Sequence, residues 1–209
     1  MERPSLQHPA AKSALFVVCL LPLAWLIYGA LTDTLGSNPA ERLIRATGDW
    51  TLRFLCLTLT ITPLRRWAKQ PTLLRFRRMV GVFTFFYACL HFACYSWLDM
   101  GLVFDDIVRD IIKRPFILVG ASAFLLMTPL ALTSFNRAIR MIGAKSWQSL
   151  HRTIYLIGLL ALLHFFWMRS AKHNYNEVIV YAAVIFSLLG YRLVGVCQAY
   201  KARRALHRP

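Results

Sequence analysis

With 209 residues, 57% of them hydrophobic, and a mean hydropathy of +0.49, the chain is too apolar for an ordinary soluble domain and reads as an integral membrane protein. Its formal charge of +16 does not make it a nucleic-acid binder, because Lys and Arg fall in short clusters between apolar runs, where they suit cytoplasmic loops. Cys19, Cys56, Cys89, Cys94 and Cys197 are scattered through apolar segments without a C-x-x-C pair, which argues against a disulfide or zinc framework.

A bilayer core asks for roughly 20 apolar residues per helix. Six segments approach that length, at about residues 12–31, 48–64, 78–98, 115–135, 150–168 and 177–197. The first, ALFVVCLLPLAWLIYGAL, follows Lys12 and lacks an A-x-A cleavage site, so it reads as retained rather than as a signal peptide. The second, FLCLTLTITPL, is short and must extend back through Arg53 towards Asp49. The third, MVGVFTFFYACLHFACYSWL, is a clear span, and in the fourth, PFILVGASAFLLMTPLALTSF, Pro115 suits the first helical turn. The fifth carries His151 and His164, and the sixth meets Arg192 before the basic run KARRALHRP. The expected fold is all-α, a polytopic membrane bundle of six helices forming one domain over residues 1–209. Seventeen Lys and Arg on the side of both termini, against seven on the other, predict that both ends face the cytoplasm. The aspartate-rich stretch at 99–114 then reads as an outward loop.

No Asp or Glu lies centrally in a span, which disfavours a proton-driven transporter; a small membrane transporter or channel, or a purely structural membrane anchor for a periplasmic partner, stays open from composition alone. Histidines stand out instead. His91 lies ~10 Å before the outer end of the third span and His164 ~6–8 Å before that of the fifth, at 1.5 Å per residue. Two imidazoles at one depth on different helices are the arrangement that clamps a haem from both faces. Imidazoles bonded to backbone carbonyls in a packed bundle are the competing reading, and His151 is equally a helix-end residue. Thirteen residues separate His151 from His164, leaving a ~220° offset on a straight helix, so both do not share one face.

The stretches TLTITPLRRWAKQP, LLRFRRMVG, ACLHFACY, KRPF and IRMIGAKSWQSLHRTIYL resemble the ferric-reductase-like transmembrane family, in particular the haem-binding membrane subunits of bacterial methionine sulfoxide reductase systems. The resemblance implies b-type haem, one or two per chain, and FMN, in a protein of the bacterial inner membrane surrounded by lipid. It also implies electron transfer from quinol or a cytosolic flavin reductase outward to MsrP, a periplasmic molybdopterin enzyme that repairs oxidised methionine. The family's haem histidines map onto His91, His151 and His164. Where a four-histidine core would carry a further histidine before His91, this sequence has Arg77 and Arg78, which are expected to meet haem propionates or flavin phosphate. Arg53 is expected beside the propionates of an outer haem. No G-x-G-x-x-G or P-loop occurs, so electrons are expected from another protein or from quinol. The candidate docking surfaces for the partner are the loops at 99–110 and 169–177, with His173 exposed in the latter.

Overall fold

The computed structural model describes residues 9–170 and 175–206. Arg3, Lys172, His173 and Arg208, which enter the charge and docking expectations, lie outside the described residues. Within them the chain forms helices and no strand. Five helical stretches are long and apolar enough to cross a membrane: Ala10–Leu31, Pro71–Asp99, Pro115–Leu132, Ala144–Ser170 and Asn176–Gln198.

The first is α1, Pro9–Leu31. Pro22 interrupts its hydrogen-bond ladder, and the buried Tyr87 hydroxyl bridges the opening, donating to the Cys19 carbonyl at 2.9 Å and accepting from the Leu23 N–H at 3.1 Å. Next comes α2, Pro39–Trp67, whose N-terminus is capped by the Asn38 side chain accepting from the Glu41 N–H. It is 29 residues long but less apolar than the five spans. Its burial supplies the reason. Leu52, Phe54, Leu55, Cys56 and Leu59 are all buried, and α2 packs on α1, α3, α8 and α9, so little of it needs to face an apolar solvent. Thr47, Thr51, Thr58 and Thr60 return their hydroxyls to carbonyls one turn back, which lets polar side chains sit inside the bundle.

After a 3-10 turn at Pro71–Leu73, α3 covers Leu74–Cys94 and widens into a π-helical turn at Tyr95–Asp99. The segment expected as an outward loop is in fact helical over Phe104–Lys113 (α4), with Ile107 buried and Tyr95 donating to Asp110 at 2.8 Å. Pro115 opens α5, Pro115–Leu132, from its first turn. Two short helices follow, α6 at Asn136–Ile142 and α7 at Ala144–His151, hinged on Gly143 at φ +85°, a backbone region glycine enters without penalty. The chain then breaks for two residues before α8, Ile154–Ser170, and ends in α9, Asn176–Leu206. His151 and His164 therefore do not share one uninterrupted helix, since Arg152–Thr153 form a turn between them.

The most extensive packing joins α2 to α3 and α5 to α8, and the two pairs meet where α3 touches α5. The bundle has chemically distinct ends. One collects every described acidic residue, from Asp33 and Glu41 through Asp99–Asp110 to Glu177. The other carries the arginines of 65–78 with Arg137, Arg140 and Arg152, and no described Asp or Glu.

Candidate functional site

Towards the acidic end, a cavity opens between α2, α3, α5 and α8. His91, from the last turn of α3, and His164, from α8, both line it with their ring centres 6.2 Å apart and their planes at 68°. His91 Nδ1 lies 2.9 Å from the Ile44 carbonyl of α2, and His164 Nδ1 lies 2.7 Å from the Phe116 carbonyl of α5. A carbonyl only accepts, so in each ring Nδ1 carries the proton and Nε2 keeps the lone pair. Phe92, Phe116, Phe124, Ala88 and Ala161 supply apolar walls.

This donor set fits an iron held between two imidazoles. A metal–nitrogen bond of about 2 Å on each side, with ~1.1 Å from nitrogen to ring centre, places the ring centres ~6.3 Å apart. A backbone carbonyl bonded to the second ring nitrogen is also the usual way a ligating imidazole is oriented. The mouth of the cavity is polar, lined by Arg45, Arg114 and Arg169 with Asp49 and Asp99. Arg169 donates to Glu177 at 2.6 Å and sits 3.4 Å from Asp49, while Arg45 pairs with Glu41 one turn earlier on α2 and Arg114, just past the end of α4, pairs with Asp110.

Arg53, expected beside this site, is not part of it. It is exposed on α2 outside the cavity lining, with its guanidinium over Trp50 at 4.6 Å and its Nε donating to Tyr181 at 3.3 Å. The arginines the sequence reading did not place at this site are Arg45, Arg114 and Arg169, which entered it as outward-facing charges, Arg114 also in the KRPF stretch and Arg169 in a docking loop. Azimuth around α2 decides the matter: Ile44, Arg45, Gly48, Asp49, Thr51 and Leu52 line the cavity, and Arg53 does not.

A second cavity lies towards the basic end, and it gathers the other expected residues. Arg77, Arg78 and His151 all line it, together with Arg152, Trp147 and Tyr155. His151 is held differently from the first two histidines. Its Nε2 is 3.1 Å from the Thr133 hydroxyl, and its ring stacks on Trp147 at 4.0 Å, whose indole N–H donates to the Thr133 carbonyl at 2.9 Å. Arg78 donates to Asn136 at 2.6 Å. Among the described residues no second imidazole lines this cavity, so they do not repeat the two-histidine arrangement there. Three guanidinium groups with no described carboxylate among the lining residues instead make a seat for an oxyanion. A single wall separates the two cavities. Met127 lines both, and Phe85 of the second stacks on Phe124 of the first at 5.5 Å and 9°.

A helical membrane bundle with facing imidazoles between paired helices defines a class, and sequence comparison gives it a name. Residues 47–162 match the family described as ferric reductase like transmembrane component, and the chain belongs to that family as a multi-pass membrane protein. It is 63% identical to the protein-methionine-sulfoxide reductase heme-binding subunit MsrQ of Polaromonas naphthalenivorans, over 90% of this chain and 86% of that one. Its identity to the MsrQ subunit of Herminiimonas arsenicoxydans is 47%, over 93% and 89% of the two chains. For that of Ralstonia nicotianae it is 46%, over 91% and 89%. No solved structure matches the chain.

Proposed function

We propose that this chain is a membrane b-type cytochrome and flavoprotein that carries electrons across the bacterial inner membrane to a periplasmic, MsrP-like molybdopterin reductase, supporting repair of oxidised periplasmic proteins. The observation that carries the proposal is the pair of imidazoles lining one cavity, 6.2 Å apart, each with Nδ1 bonded to a carbonyl and Nε2 left for iron. The names of the relatives, which describe heme-binding subunits of a methionine sulfoxide reductase, point the same way. When bound, haem supplies one-electron redox chemistry that protein side chains lack.

The residues around it have separate tasks. His91 and His164 bind the iron, and the Phe92, Phe116 and Phe124 rings keep water from it. Arg45, Arg114 and Arg169 at the mouth balance propionate charge. In the second cavity we assign Arg77, Arg78 and Arg152 to the phosphate of FMN, with His151 beside it, because anion-seeking groups gather there without an acid. In this reading α2 crosses the membrane as a sixth span. The basic end faces the cytoplasm, as positive residues favour that side. Electrons enter there from quinol or a cytosolic flavin reductase and leave at the acidic end, where α4 and the start of α9 meet the partner.

The test is direct. Protein purified in detergent shows a Soret band and a dithionite-sensitive α band, and in liposomes it couples quinol oxidation to methionine sulfoxide reduction by added MsrP. A preparation free of both bands sinks the cytochrome reading, and bands without coupling sink the electron route.

A further inference from the structure

We propose that Gly48 and Gly120 are positioning residues for the two imidazoles, each leaving open a seat on a neighbouring helix that a side chain would fill. The inference rests on the two-histidine reading above. It concerns helix backbones that neither touch iron nor carry a functional group.

The two seats are built alike. Gly48 stands one helical turn after Ile44 on α2, and Ile44 gives its carbonyl to His91; Gly120 stands one turn after Phe116 on α5, and Phe116 gives its carbonyl to His164. The separations in sequence are nearly equal, 47 residues from Ile44 to His91 and 48 from Phe116 to His164. A Cβ on Gly120 would come within 2.8 Å of His164 Nδ1 and 2.9 Å of its Cε1, closer than real Cβ atoms approach. On Gly48 it would lie 3.1 Å from His91 Cε1 and 3.2 Å from Nδ1, a tight fit that asks the ring to shift.

The atoms met are what give these contacts their meaning. Nδ1 and Cε1 are the edge of the ring that makes the carbonyl bond, so a ring pushed away from the helix lengthens that bond and turns about its own axis. Both glycines sit in regular helix, where glycine is less favourable than alanine. Helix propensity alone would therefore favour alanine at both positions. Gly190 provides the contrast: it is also helical, and a Cβ there meets nothing within 4 Å.

The experiment compares Gly120→Ala, Gly48→Ala and Gly190→Ala with wild type, each purified with its native haem. The readouts are the ferric low-spin EPR signal, which depends on the angle between axial imidazole planes, and the haem midpoint potential; a general loss of folded protein moves neither. Gly120→Ala is expected to lose most of the two-imidazole low-spin signal. Gly48→Ala is expected to keep its haem with shifted g values and potential, and Gly190→Ala to match wild type. If Gly120→Ala does not accumulate, Gly48→Ala decides. Shifted g values there uphold the proposal, and wild-type values in Gly48→Ala overturn it while leaving the cytochrome reading intact. Wild-type protein without haem removes both.

Discussion

The two cavities use the same side chain in opposite ways. Near the acidic end His91 and His164 surrender Nδ1 to backbone carbonyls and face each other, while near the basic end His151 has its Nε2 beside a threonine hydroxyl and its ring pressed on an indole. The first arrangement is a matched pair of donors set by helix backbone. The second is a lone imidazole in a collar of guanidinium groups. The difference teaches that a histidine in a membrane helix is defined by which of its nitrogens the surroundings occupy, more than by its depth.

Several substitutions would break or sharpen that contrast. The largest effect is expected from His91→Ala or His164→Ala, each of which empties the first cavity of haem, read as loss of the low-spin ferric signal. His151→Ala is expected to leave that signal in place, and equal loss from all three variants would erase the distinction between the cavities. Next, Arg77→Gln combined with Arg78→Gln is expected to weaken FMN retention. Each charge-assisted hydrogen bond lost costs about 1.5–3 kcal/mol, roughly ten- to a hundredfold in affinity. Flavin fluorescence after gel filtration checks this, with the haem spectrum unchanged. Arg169→Gln removes the partner of both Asp49 and Glu177. Because these side chains are partly exposed, the expected cost is only about 1–3 kcal/mol, seen as a lower melting temperature in detergent. The smallest effect is expected from Tyr87→Phe, about 1 kcal/mol, through loss of the hydroxyl that bridges the Pro22 opening in α1.

Much of this was legible in the sequence, and the illegible parts have a common cause. Counting residues along two spans put His91 and His164 at one level, and the structure brings their rings together, because rise per residue is a property of the helix alone. Rotation about the axis is not, since packing sets it; Arg53 was assigned to a site that its helix turns it away from, and Arg45 and Arg169 were passed over for the same reason. The break after His151 left no glycine or proline to mark it. The second span looked weak because its central place in the bundle lets it carry threonines and charges that a lipid-facing helix could not. Gly48 and Gly120 were invisible as site residues, although an isolated glycine in an apolar helix is itself a hint of close approach.

The wall between the cavities has a further consequence. Met127 touches both chambers, and the Phe85–Phe124 stack fills the space beside it with carbon and sulfur. Neither ring offers a proton a place to rest, and the thioether is a poor acceptor. On the electron route proposed above, the transferred electron crosses this wall of aromatic carbon and thioether sulfur, which offers a proton few acceptors.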